Sequence, residues 1–154
     1  MTSSIERVAD FAHDRGISIA AAESLTSGAL AGALGKGEDA SEWFAGGVVA
    51  YFSRVKFEVL GVDEGPVITE RCAEQMAEGV RRLLRADAAV AVTGAGGPDA
   101  EEGKPPGTVF IAASVHGRVV VKQYSFDGDP GTVVEKTVES ALGQLAAELD
   151  KGHA

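Results

Sequence analysis

Apolar positions along the chain follow two rhythms, one helical and one extended. Residues 4–16 carry Ile5, Val8, Ala9, Phe11 and Ala12 at helical spacing and stop at Gly16, which predicts an amphipathic helix. Ile17–Ala22 is a short, nearly continuous apolar run, the pattern of a strand buried on both faces. Ala29–Lys36 reads as a helix, with Ser24 or Thr26 as its cap and Gly35 and Gly37 at its end. A turn of helix is expected over Ser41–Phe44, a second strand over Gly47–Tyr51, and a helix over Ser53–Leu60 stopped by Gly61. The clearest helix is Thr69–Leu84, with Thr69 as cap and Cys72, Met76, Val80, Leu83 and Leu84 as its apolar stripe. Ala88–Val92 is a third buried strand. A Gly/Pro/acidic loop follows over Thr93–Pro106, and its Asp99–Gly103 stretch is expected to be mobile. Thr108–Val115 and Val119–Phe126 read as a hairpin turning at His116-Gly117, and a last helix runs from about Thr132 to Leu149.

Helices and strands alternate through the first three strands, and the hairpin adds an antiparallel pair. The expected architecture is α/β: a three-layer α/β/α sandwich with a mixed, mostly parallel sheet. A length of 154 residues matches one domain, taken as residues 1–154. No apolar run reaches the roughly 20 residues of a membrane span, and the first residues lack the apolar region of a signal peptide.

Charge and composition then narrow the partners. The formal net charge of −9 argues against nucleic acid, whose phosphates need clustered Lys and Arg. The single cysteine, Cys72, leaves no intramolecular disulfide and matches a reducing, cytoplasmic setting. Within its helical stripe it reads as a buried small hydrophobe. His13, His116 and His153 are widely scattered, so no histidine triad and no metal-ligand cluster is expected, and no cofactor is called for.

In open α/β sheets, ligands gather at the carboxyl ends of the strands. Three polar segments fall there: Glu23-Ser24-Leu25-Thr26-Ser27-Gly28, Tyr51-Phe52-Ser53-Arg54-Val55-Lys56, and Thr93-Gly94-Ala95-Gly96-Gly97-Pro98-Asp99. Each alone reads equally as a helix cap, a surface lysine or a turn. Together with Lys104–Phe110 they stand in the order and spacing of the CinA C-terminal domain, which the chain resembles from about Ile5 to Leu149. That family includes the stand-alone nicotinamide mononucleotide (NMN) deamidases; its longer members carry an additional N-terminal domain.

The resemblance implies an α/β/α fold and hydrolysis of the nicotinamide amide to acid and ammonia. It implies a small nucleotide substrate and a homo-oligomer, for which Trp43 and Phe44, expected to be exposed, are further support. By position it makes Ser24 the nucleophile, Lys56 its base and Tyr51 a residue that orients or relays. It puts Thr93 at the substrate or oxyanion position, with Glu23, Thr26, Gly94 and Gly96 around the substrate. The chemistry is coherent: a serine hydroxyl needs an adjacent base, and burial lowers the pKa of a lysine toward a range in which it can serve. Backbone N–H groups after Ser24 or in Gly94–Gly97 are candidates for an oxyanion hole.

The chain departs from the family pattern at several places. Leu25 and Ser27 replace a Cys and a Gly. The loop after Gly61 is short. TGAGGPDA replaces TGIAGPDG. After Phe126-Asp127-Gly128-Asp129, Pro130 and Val134 stand where the family has two arginines, the first a candidate for gripping the substrate phosphate. Those losses leave three readings open: a weaker NMN deamidase, a hydrolase of a different amide that lacks a phosphate, and a paralogue that binds a nucleotide or a protein partner with little turnover. Arg54 and Lys104 are the candidates to compensate.

Overall fold

The computed structural model describes residues 2–151. Along the chain lie α1 (Ser4–Arg15), β1 (Ile19–Glu23), α2 (Ala29–Gly35), α3 (Ala40–Trp43), β2 (Phe44–Val49), α4 (Ser53–Leu60) and α5 (Glu70–Leu83). The remainder is β3 (Ala88–Gly94), β4 (Thr108–Val115), β5 (Arg118–Ser125) and α6 (Pro130–Lys151). The five strands form one sheet in the order β2-β1-β3-β4-β5. β1 pairs in parallel with β2 and β3, and β4 pairs antiparallel with β3 and β5. The sheet is therefore mixed, with β1, β2, β3 and β5 running in one direction and β4 against them.

Alternation along the strands divides the core into two layers. Ile19, Ala21, Val90, Val92, Ile111 and Ala113 face α1 and α6, whose Val8, Ala12, Val133, Leu142, Leu145 and Leu149 cover them. Ala20, Ala22, Ala89, Ala91 and Ala112 face the other way, against Cys72, Met76, Ala77 and Val80 of α5. An almost all-alanine sheet surface lets α5 pack close to the backbone, and β1, β3 and β4 are buried along their whole length.

Local signals explain most boundaries. Ser3 caps α1, Gly16 ends it in the left-handed conformation, and Thr69 caps α5 by accepting from the Cys72 N–H. β2 begins three residues before its expected start and ends earlier, because Phe44 already pairs with Ile19 across a register irregularity. Gly46 and Gly47 disguise this strand, since glycine weakens a strand pattern. Trp43 is not exposed as expected: it is 2% accessible, and its indole N–H donates to the Glu38 carbonyl at 2.9 Å. Phe44 is half-buried. Exposed apolar side chains lie instead at Val49, Tyr51, Phe52, Val59 and Leu83, so Leu83 leaves the predicted α5 stripe.

The cap of α2 differs most from expectation. Neither Ser24 nor Thr26 caps this helix; its N-cap residue is Gly28, which makes no side-chain bond. The Glu23 carboxylate reaches over from the end of β1 and accepts from the N–H groups of Leu30 at 3.0 Å and Ala31 at 2.9 Å. Thr26 donates its hydroxyl to the same carboxylate at 2.5 Å. Glu23→Ala would orphan all three donors in a buried setting. A loss of about 2–4 kcal/mol in unfolding free energy is expected by urea titration. Ser27, exposed on this turn, has φ 52°, a left-handed conformation that costs a non-glycine residue about 1 kcal/mol. Ser27→Gly is expected to raise the melting temperature slightly or leave it unchanged, and a clear fall would show that the serine side chain is needed.

Candidate functional site

β1, β2 and β3 end on the same edge of the sheet, and the segments leaving them converge there. Ser24 follows β1, Tyr51 follows β2, Lys56 sits in the first turns of α4, and Thr93 and Gly94 close β3. α6 starts at the same edge, at the end of β5. A cavity of about 170 Å³ opens between these segments. Ser24, Tyr51, Lys56, Thr93, Gly94 and Gly96 all line it, so six of the eight residues singled out in the sequence share one wall. Glu23 and Thr26 do not: they are buried behind it in the α2 cap.

Lys56 is the unusual member. It is 2% accessible, and its ammonium nitrogen donates to the backbone carbonyl of Tyr51 at 3.2 Å. No carboxylate lies within salt-bridge distance of it among the described residues. Burial lowers its pKa from the ordinary lysine value; the more distant Cys72, Glu101 and Glu102 oppose that shift only in part. Tyr51 meets the lysine through its main chain, while its ring is exposed. No hydrogen bond joins Ser24 to Lys56 directly among the described residues; both stand on the cavity wall.

Thr93 donates its hydroxyl to the Val67 carbonyl at 2.7 Å, which ties the segment before α5 to the end of β3. The same segment is held from the other side. The Glu102 carboxylate accepts from the N–H groups of Val67 at 2.9 Å and Ile68 at 2.8 Å. The acidic stretch expected to be mobile is thus anchored, and it brings Glu101 to the cavity wall. Gly94 is required by packing: a Cβ there would lie 2.5 Å from the Thr108 carbonyl oxygen. Gly96 has room, since its Cβ would make only an ordinary contact with Leu25 at 3.5 Å. Cys72 is buried, and burial pushes its thiol up to about 11, so it is an inert neighbour of Thr93 and Lys56.

The wall also includes Leu25, Ser53, Val67, Ile68, Gly97, Glu101, Pro130 and Val134. Pro130 and Val134 were visible in the sequence as departures from the family pattern; Val67, Ile68 and Glu101 carried no local signal. One group that could hold a metal ion was missed: His13, Asp39 and Glu42, all exposed. His13 lies on α1, Glu42 on α3 and Asp39 just before α3, at the amino ends of the strands, opposite the cavity. His153 lies outside the described residues.

Fold and cavity define an open α/β domain with a cavity at the carboxyl ends of its parallel strands. The chain belongs to the CinA C-terminal domain family, whose sequence profile matches residues 1–149. A Bacillus subtilis (strain 168) protein named for competence-damage induction is 40% identical over 132 residues, covering 82% of this chain and 32% of that protein. A like-named protein of Desulforamulus reducens is 41% identical over 134 residues, covering 84% and 33%. The chain thus spans about a third of the length of these relatives. Among solved structures, the competence damage-inducible protein A of Klebsiella pneumoniae MGH 78578 superposes with a TM-score of 0.91 at 35% identity, covering 97% of this chain and 98% of that one. The competence/damage inducible protein CihA of Agrobacterium tumefaciens gives 0.88 at 31% identity, covering 97% and 98%.

Proposed function

We propose that the domain is an amidohydrolase of the nicotinamide-nucleotide deamidase kind, working through Ser24 and Lys56. The observation that carries this reading is a buried lysine without a carboxylate partner, on the same small cavity wall as a serine. A lysine kept only for structure is normally paired or exposed. One that must accept a proton needs burial and a neutral hydrogen-bond partner, and Lys56 has both.

In the reaction proposed, the Ser24 hydroxyl attacks the carboxamide carbon and its proton passes to the Lys56 amine. The C–N bond breaks, and Lys56 returns the proton to the departing ammonia. Water then attacks the Ser24 ester, giving one proton to Lys56; the C–O bond to serine breaks, that proton returns to Ser24, and the carboxylic acid leaves, passing its proton to the released ammonia in solution. The oxyanion donors are assigned to the N–H groups of Leu25 and Gly96, both residues on the wall; that of Ala95 is already engaged by the Thr108 carbonyl at 2.9 Å. Tyr51 orients the lysine through its carbonyl. Glu23 and Thr26 act by fixing the turn that carries Ser24, and Thr93 by fixing Val67. A cytoplasmic setting and self-association belong to the proposal; DNA binding does not, given a formal charge of −9.

The test is ammonia release from pyridinium carboxamides, nicotinamide riboside and NMN, by purified protein, with Ser24→Ala as control. Release that disappears in the variant supports the reading. A folded protein that releases none sinks it in favour of a binding module.

A further inference from the structure

A phosphate monoester carries roughly −1.5 to −2 charge at neutral pH. Proteins hold such a group with Arg or Lys side chains, with free N–H groups at a helix N-terminus, or both. Among the described residues the cavity wall holds one such cation, Lys56, and no arginine. Its only charged side chains, among the described residues, are Lys56 and Glu101. Lys56 is committed to the reaction and donates to Tyr51.

The cations nearest in sequence point elsewhere. Arg54 is exposed and pairs with Glu58 at 3.6 Å. Lys136 donates to the Asp127 carbonyl at 2.9 Å. Lys104 is not on the wall. Neither Arg54 nor Lys104 therefore supplies the missing grip.

Of the two helices that begin at the wall, α4 at Ser53 and α6 at Pro130, the second offers an anion little. α6 presents Pro130 and Val134 to the cavity. Pro130 has no N–H to give, and the Asp129 carboxylate already accepts from the Thr132 N–H at 2.8 Å. The first turn of this helix thus carries its own anion. Glu101 adds a negative group on the wall, where it repels a phosphate and attracts a cation.

We propose, on the amidohydrolase reading above, that this site takes an unphosphorylated cationic carboxamide, a pyridinium nucleoside rather than its nucleotide. Glu101 faces the charge of the pyridinium ring, and Pro130 and Val134 give apolar surface where a phosphate would otherwise sit. The reaction is unchanged: one C–N bond is hydrolysed, and the nucleoside keeps its positive ring.

The experiment compares kcat/KM for ammonia release from nicotinamide riboside and from NMN. The expected result is a preference of at least about tenfold for the riboside, the low end of a lost charge-assisted contact. Val134→Arg and Glu101→Gln, made separately, are each expected to shift that ratio toward NMN, the arginine variant by roughly 10-fold or more. A wild-type preference for NMN overturns this inference and leaves the amidohydrolase reading standing. Ammonia from neither compound, from protein that melts cooperatively, overturns both. The wild-type comparison decides the matter even if the arginine variant does not fold.

Discussion

Ser24→Ala is expected to lower kcat for amide hydrolysis by roughly 10³-fold or more, while the protein melts within a degree or two of the wild type. The two halves of this expectation rest on different observations. Ser24 is 7% accessible and lines the cavity, and no cap or core contact depends on its hydroxyl. The turn that carries it is held by Glu23 and Thr26 instead. Removing one oxygen is therefore expected to leave the fold intact and take away only the proposed nucleophile. A general acid–base group without a nucleophile retains little of the rate, because the remaining catalysis comes from binding and oxyanion stabilisation alone. Activity within tenfold of wild type would assign the nucleophile elsewhere. The hydroxyls of Ser53 and Thr93 are the next candidates on the wall, although that of Thr93 already donates to Val67.

What the sequence made legible follows the reach of each interaction. β1 and β3 were readable because a strand buried on both faces needs a continuous apolar run, and α5 because Thr69 and its stripe lie within a few turns of one another. The cavity residues on β1, α4 and β3 were readable because strand ends at one sheet edge collect ligands, and the family resemblance then singled out Ser24 and Lys56. The rest depends on contacts that span many residues. Glu23 caps a helix seven and eight positions ahead, so a search for Ser or Thr immediately before α2 looks in the wrong place. Glu102 pins Val67 and Ile68 from 35 and 34 residues away, which turns an acidic loop into part of the cavity wall. Trp43 is buried in the core with its indole N–H donating to a carbonyl five residues earlier, in a segment whose glycines and acids read as surface. The start of α6 was half legible: Pro130 and Val134 could be seen as departures from the family pattern, but the bond from the Thr132 N–H to the Asp129 carboxylate could not.

Lys56→Met is expected to abolish activity and at the same time raise the melting temperature by roughly 3–8 °C near neutral pH, since a buried charge exchanged for a well-packed apolar side chain commonly stabilises. The dependence on pH distinguishes this cause from simple repacking. Burial lowers the folded-state pKa of Lys56 below the ordinary value of 10.5. Between that lowered pKa and 10.5 the unfolded chain holds a proton that the folded protein has released, so wild-type stability rises with pH across the window. Below the lowered pKa the folded state must bury an ammonium, and the burden is complete; above 10.5 both states are neutral and it vanishes. The advantage of Lys56→Met should therefore be greatest on the acid side and shrink as pH climbs toward 10.5. Wild-type turnover should move the opposite way, rising with pH through the lowered pKa as the neutral amine becomes available to Ser24. Thermal melts and kcat/KM measured over one pH series check both trends. A variant less stable than wild type at every pH would make Lys56 a structural residue, and a flat activity profile through its titration would remove it as the base.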